Sequence, residues 1–538
     1  LFLLLYATFF LPLLCKSTLN RVKIVFMDFL TPEEKRWRTV RFIVGYILIT
    51  IAVLLATFIS VLLVQGYKIG NGGSFSQKGL VNVGSQPVSA EVFLDNQKVD
   101  NTPSRLDINE GEYSLRLQAN DYRPWNKKFK LDGGAVRYFT YPKLIPIEIK
   151  QQPVVTFTSQ PSWASSSPDR HWVVAKLDAT DSPTFNVYDT TRVKPDSGVN
   201  NQNIALPLAS VIGAPGVYGS FEPVEWADDN KHLLLLQTLP TGEKAYIIFN
   251  RDKPEESQNV TKLLSLTPNQ VISLRDKKYN KFLAHSADNG LLIARDSKDI
   301  SFSATIAEGV VAFKAYANDL ILYVTYNEAS PSEANLLVKQ GDKDVYRLQP
   351  LLRDPTNFYL LDIAKYDGDW FYVAASGNDR RVRLFINPLS RVTAGSLVKI
   401  RPTQSIPIEN PKFISFSDNA RFIATQSGNR FAVYDGELKT TYRYSLNKVI
   451  TDDQEVTWMD GHRLKYVDNG SATIFEFDGT NEQQLISSLP NNAFNAYFDR
   501  GYEYVFTYQL GSDGKTTLQA GSLVVQNILL IIYIGSVI

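Results

Sequence analysis

FISFSDNARFIATQSGNRFAVYD, residues 413–435, decides the fold. A short apolar run at 413–416 meets a polar turn. The chain turns apolar again at Phe422, turns once more at 427–429, and runs to Asp435. Short β-branched and aromatic runs separated by Ser, Asp, Asn and Gly read as antiparallel strands joined by tight turns. The same unit recurs. Its central turn and strand stand at PDRHWVVA (168–175), DDNKHLLLLQ (228–237), KKYNKFLAH (277–285) and ANDLILYV (317–324). They return at DGDWFYVA (367–374), DNARFIAT (418–425), DGHRLKYV (460–467) and RGYEYVFT (500–507). The first apolar residues of these strands are Trp172, Leu233, Phe282, Leu320, Trp370, Phe422, Leu464 and Tyr504. Their spacing averages about 47 residues, the period of a four-stranded propeller blade.

Most repeats carry a further strand that ends in an acid or amide, as in FNVYD (185–189), AYIIFN (245–250), RLFIN (383–387) and TIFEFD (473–478). The pattern resembles the WD40-like and TolB-like repeat propellers of bacteria, with degenerate repeats and no full Gly-His…Trp-Asp signature. A propeller of seven or eight blades is expected over 153–525, with the eight first apolar residues buried between blades. The last blade shows three clear strands. Residues 153–157 (PVVTF) are expected to supply its fourth, because an open ring leaves two edges unpaired.

Composition agrees and excludes several classes. The 538 residues are 44% hydrophobic and 21% charged, enough to bury a core. Lys+Arg is 56 against Asp+Glu 55, a net charge of +1, so the chain lacks the basic excess that nucleic-acid binding by bulk electrostatics requires. A single cysteine, Cys15, excludes a disulfide framework and a thiolate zinc site.

Residues 42–64 (FIVGYILITIAVLLATFISVLLV) carry no charge. As a helix they span about 34 Å, longer than the ~30 Å hydrocarbon core. Lys35, Arg36, Arg38 and Arg41 precede the run, whereas the first cations after it are Lys68 and Lys78. The positive-inside rule therefore predicts a cytoplasmic lead-in at 27–41, a transmembrane helix at 42–64, and an extracytoplasmic remainder. Trp37 and Tyr67 are expected at the two interfaces. Residues 1–26 lack a basic n-region, and Met27 opens an ordinary lead-in, so 1–26 read as upstream sequence that is not native. The apolar tail 526–538 reads as a strand or a second non-native segment rather than a second span.

After a Gly/Ser-rich linker at 65–77, residues 78–142 alternate apolar and polar with turn residues between the runs. This predicts a small antiparallel β-sandwich. Lys78-Gly79, Val81, Val83, Ser85, Pro87, Ala90, Val92, Leu94-Asp95, Thr102-Pro103, Leu106, Gly111, Tyr113 and Tyr122 make the segment similar to PEGA domains. The name-giving tetrapeptide reads Pro87-Val88-Ser89-Ala90, so its middle positions depart. The resemblance implies a spacer module without catalytic residues. With its own core it is expected to fold independently of the ring.

No catalytic constellation assembles. His171, His232 and His462 occupy the same turn of different repeats, and His285 follows the equivalent strand. They read as separate solvated turn residues. Arg380, Arg381 and Arg383 read as a solvated strand edge, and Ser286-Ala287-Asp288-Asn289-Gly290 as a structural turn. Nucleophile elbows, phosphate-cradling Gly-rich loops and EF-hand loops are absent from the sequence. The expectation is a non-enzymatic, single-pass, cell-surface protein without cofactor or metal. Its partners would be membrane lipid at 42–64 and a protein or envelope polysaccharide on the ring. The competing expectation is an extracytoplasmic propeller hydrolase, marked by clustered acids or an Arg–Tyr–Glu set at the channel mouth.

Overall fold

The computed structural model describes residues 31–64, 67–69, 75–177, 182–191, 193, 201–317, 319–468, 470–489 and 496–525. The segments 1–26 and 526–538, and most of the linker, lie outside the described residues. Two compact units are present. One comprises residues 1–80, 107–111 and 131–137; the other comprises 81–106, 112–130 and 138–538.

In the first unit, helix Pro32–Val64 runs 33 residues. Pro32 stands at its start, where a missing N–H costs nothing. Its apolar stretch Arg36–Val61 has none of its surface buried. Strands Tyr67–Ile69 and Phe75–Val83 then pair antiparallel, Tyr67 opposite Gln77.

The second unit holds most of the small β-domain. One sheet orders Gln97–Asn101, Glu91–Leu94, Gly111–Gln118 and Trp125–Leu131; Phe75–Val83, Ser104–Asn109 and Val136–Phe139 belong to another. Val81, Val83, Val92, Leu115, Leu117 and Trp125 are almost wholly buried. These are the alternating apolar positions of the sequence, as a sandwich core requires.

Eight four-stranded antiparallel sheets follow, at 161–205, 220–259, 270–307, 310–352, 359–407, 413–445, 457–487 and 497–522. They are blades 1 to 8. In blade 6, Phe413–Phe416, Phe422–Ser427 and Arg430–Asp435 pair in series, with Thr440–Ser445 as the outer strand. Blade 8 has three strands of its own. Its fourth is Gln151–Thr156, paired with Thr516–Ser522 so that Val155 opposes Leu518. Strand pairing thus joins the two ends of the ring, which removes the exposed edges. Packing closes it too. Val173, Ala175 and Tyr188 of blade 1 cluster with Phe506, Tyr508 and Leu518 of blade 8, and the Tyr188 and Tyr508 hydroxyls lie 2.6 Å apart. Similar apolar clusters fill the other junctions, as with Leu322, Val324, Tyr372 and Phe385 between blades 4 and 5.

Two expectations need correction. Of the eight first apolar residues, Leu233, Phe282, Leu320, Phe422 and Leu464 are buried, but Trp172, Trp370 and Tyr504 are only partly so. Large rings at the strand start reach the rim and take cations instead. Arg251 lies 4.0 Å over Trp172 and Lys365 5.5 Å over Trp370.

Nor is the small domain a free module, because the sheet that ends in Trp125–Leu131 is bonded to blade 7. Trp125 Nε1 donates to Glu476 Oε1, and Lys127 Nζ reaches Glu476 at 3.0 Å and Asp478 at 2.5 Å. Asn126 and Asn481 exchange two hydrogen bonds, and Arg123 donates to the Gln484 carbonyl at 2.6 Å. Arg463 donates to the Tyr141 carbonyl at 2.6 Å.

Candidate functional site

The turns between the first and second strands of the blades build the mouth of the central channel. Two residues before the second strand, the backbone is left-handed at Arg170 (φ 58°), Asn230 (58°), Asp367 (47°), Ala420 (58°) and Tyr502 (56°). Asn and Asp tolerate this conformation, while bulky residues pay roughly 1–2 kcal/mol for it. Arg170 and Tyr502 are the two bulky ones, and both converge on Asp418. Arg170 Nη1 donates to Asp418 Oδ2, and the Tyr502 hydroxyl donates to the same oxygen at 3.3 Å. The guanidinium lies 4.5 Å over the Tyr502 ring. Three blades, 1, 6 and 8, are joined at one carboxylate.

Below this set is a pocket of about 410 Å³ bounded by Arg170, Asp418, Trp458, Lys465, Tyr497 and Phe498, among others. Lys465 Nζ donates to the Ala496 carbonyl at 2.7 Å. Burial pushes its ammonium down to about 8; Asp418 opposes that shift and Arg170 adds to it. Burial also pushes the Tyr502 hydroxyl well above its ordinary range. A tyrosine nucleophile needs the opposite shift.

Elsewhere on the inner strands the acids have cation partners. Glu225 accepts from Lys277, and Asp362 from Lys314 at 3.0 Å. Burial works against the Lys314 charge, but Asp362 wins and holds the ammonium above its usual value. Glu455 is pushed up by burial, with Lys314 opposing and Asp362 adding. At the opposite end of the ring, a cavity of about 760 Å³ between blades 4, 5 and 6 is lined by Asp354, Asn357, Phe358, Asn378, Lys412 and Asp453, among others. Phe358 is 39% exposed there. Asp354 is held as a turn cap, accepting from the Thr356 N–H at 2.8 Å and hydroxyl at 2.6 Å.

The histidines do stay apart; the His171 side chain is 37% exposed, whereas His232 is buried. His171 stacks on Trp172 with ring centroids 4.7 Å apart, and His232 on Tyr279 at 4.0 Å. His285 Nε2 bonds the Val310 carbonyl at 2.7 Å. His462 stacks flat on Tyr141 at 4.4 Å, beside Phe422. The turn histidine is a flat spacer between strand ends, a role its place in the repeat could have suggested. The arginine cluster separates. Arg380 and Arg381 are exposed, while Arg383 donates to Asp379 at 2.8 Å. Segment 286–290 is a turn closed by Gly290 N–H donating to the Ser286 carbonyl at 2.9 Å. Among the described residues, no group of three or more His, Cys, Asp or Glu side chains is placed to hold a metal ion.

His462 predicts an acid-labile junction. Burial lowers its pKa to about 4, with Asp460 opposing. The unfolded chain titrates near 6.5, so it binds the proton first as pH falls. Stability is complete above about 6.5 and drains as pH drops towards 4, by an amount of order 3 kcal/mol. Thermal melts from pH 7 to 4.5 should show a steeper loss for the native chain than for His462→Gln. Equal slopes would assign the loss elsewhere.

The PEGA domain family model matches residues 78–142. No curated protein matches the chain. Among solved structures, the chain is similar to an uncharacterized protein of Listeria monocytogenes EGD-e at 12% identity, covering 63% of this chain and 93% of that one, TM-score 0.35. It is also similar to a prolyl endopeptidase at 10% identity, covering 66% and 53%, TM-score 0.39. A third is the dihydro-heme d1 dehydrogenase NirN at 13%, covering 75% and 74%, TM-score 0.37. At such scores the likenesses decide nothing about activity.

Proposed function

We propose that this chain is a non-catalytic binding protein, held in a membrane by helix Pro32–Val64 with its N-terminus cytoplasmic, and that its ring binds an envelope polysaccharide. The observation that carries the non-catalytic reading is the mutual pairing of the side chains at the channel mouth. In place of the awaited Arg–Tyr–Glu set stand Arg170, Tyr502 and Asp418, and there the arginine is paired, the acid accepts two hydrogen bonds and the tyrosine is hard to ionise. Such a set braces blades rather than attacks a bond.

The binding face is the end of the ring opposite the PEGA contacts, which go to residues 460–484 and to Val525 of blades 7 and 8. That free end holds the cavity with Phe358, Asn357, Asn378 and Asp453. An exposed aromatic face with amides and carboxylates around it suits a sugar, whose C–H face stacks and whose hydroxyls bond to the rim. A protein partner is the other outcome.

The test uses the full chain in detergent micelles, titrated calorimetrically with purified cell-wall polysaccharide. Phe358→Ala should weaken binding tenfold or more at unchanged melting temperature. Cleavage of the polysaccharide or of peptide substrates by the native chain would replace this reading with the hydrolase. Protease added to intact cells should remove the ring, and full protection would reverse the orientation.

A further inference from the structure

We propose that the pocket at the channel mouth binds a small organic monocarboxylate between Lys465 and Arg170. The charge balance comes first. The walls contribute two cations, Lys465 and Arg170, and one anion, Asp418. Asp418 already accepts from Arg170 and from Tyr502. The pocket thus holds one positive charge in excess. One monoanion completes it.

The hydrogen-bond inventory points the same way. Lys465 has three N–H donors and spends one on the Ala496 carbonyl at 2.7 Å. Arg170 Nη1 goes to Asp418, while its buried Nε has no partner among the described residues. Two further polar groups of the walls are paired. The Tyr497 hydroxyl donates to the Ala164 carbonyl at 2.5 Å, and Trp458 Nε1 to the Ser415 carbonyl at 3.3 Å. What is left over is two ammonium N–H groups of Lys465 and the Arg170 Nε–H, beside the second oxygen of Asp418, and these surplus donors suit a ligand that accepts. Trp458, Tyr497 and Phe498 present apolar faces beside it, so the carboxylate carries an organic body rather than being a bare inorganic ion. A volume of about 410 Å³ admits a molecule of sugar-acid or acylated amino-acid size. Strain adds a third argument. Arg170 holds a left-handed backbone in a turn where blades 2, 5 and 6 place Asn, Asp or Ala, and strained residues held by their surroundings concentrate at ligand sites.

Binding depends on pH in a defined sense. The groups facing Lys465 are Arg170, Asp418, Tyr497 and Tyr502. The arginine stays charged, and both tyrosines are pushed up by burial. Lys465 loses its proton near 8, so its charge changes between pH 7 and 9. Carboxylate affinity should therefore fall as pH rises through that window.

The experiment titrates the full chain in micelles with D-glucuronate and with N-acetylglycine, using glucose and N-acetylglycinamide as neutral controls. The two acids separate a sugar source from a peptide source. At least one should saturate, and neither control should. Lys465→Met should weaken binding at least tenfold, Lys465→Arg should restore most of it, and Arg170→Gln should weaken it by a smaller factor. Absence of saturable binding by either acid to the folded native chain overturns the proposal. So does a Lys465→Met variant that binds as the native chain does. If Lys465→Met fails to fold, the native pH profile decides, because constant affinity from pH 7 to 9 removes Lys465 from the site.

Discussion

Lys127→Met should destabilise the chain by about 3–5 kcal/mol, the cost of removing one partner from a buried ion pair. Lys127 is 8% exposed and Glu476 1%, so losing the ammonium leaves the carboxylate in place with little water to replace it. Trp125 Nε1 still donates to Glu476, which offsets part of the loss. Denaturant unfolding of the native and variant chains measures it. The double change Lys127→Met with Glu476→Gln should recover the share due to Glu476, while Asp478, the other partner of Lys127 at 2.5 Å, still lacks its cation. Gln still accepts from Trp125, and neutral side chains need no counter-ion. Limited proteolysis adds a readout specific to the interface. In Lys127→Met the PEGA domain should become cleavable while the ring stays resistant. A loss under about 1 kcal/mol with unchanged proteolysis would mean that the domain is a free spacer, as the sequence alone suggests.

That disagreement marks where sequence reading stops. The ring was legible because each blade repeats one local pattern, and blade 6 could be read strand by strand from Phe413 to Asp435. The closing strand was legible for a topological reason, since blade 8 lacked a partner for Thr516–Ser522. The docking of the PEGA domain was not. Trp125 and Lys127 look like ordinary alternating strand residues, and Glu476 like one more acid at the end of a strand. Only the fold brings positions 349 residues apart within bonding distance. The channel mouth hid for the same reason, because Arg170 and Asp418 lie 248 residues apart. A local signal did exist there. Arg170 and Tyr502 stand in turn positions that Asn, Asp or Ala occupies in blades 2, 5 and 6, and a bulky residue there asks for an explanation. Burial of the first apolar residues was overstated because position in the repeat fixes the direction of a side chain but not how far a large ring projects. Trp370 begins a strand inward and ends at the rim.

Trp370 and Phe422 consequently give the sharpest test of the ring, because they share a repeat position and should differ in effect. Phe422 is fully buried, stacked on Phe477 at 4.2 Å and packed near Trp458 at 6.2 Å across the junction of blades 6 and 7. Phe422→Ala should cost about 3–5 kcal/mol, the transfer term plus a cavity that two rigid sheets cannot close. Trp370 is half-buried, edge-on to Tyr316 at 5.7 Å. Its truncation opens a notch that water can fill, so Trp370→Ala should cost about 1–2 kcal/mol despite the larger side chain. Calorimetry of the two variants compares them directly. Because each junction shares strands with the next and Gln151–Thr156 links blade 8 back to the chain before blade 1, either loss should lower one cooperative transition. Equal penalties would place both rings in equivalent surroundings. A transition that splits for Phe422→Ala would mean that blades 6 and 7 melt apart from the rest, which a ring closed by both pairing and packing does not permit.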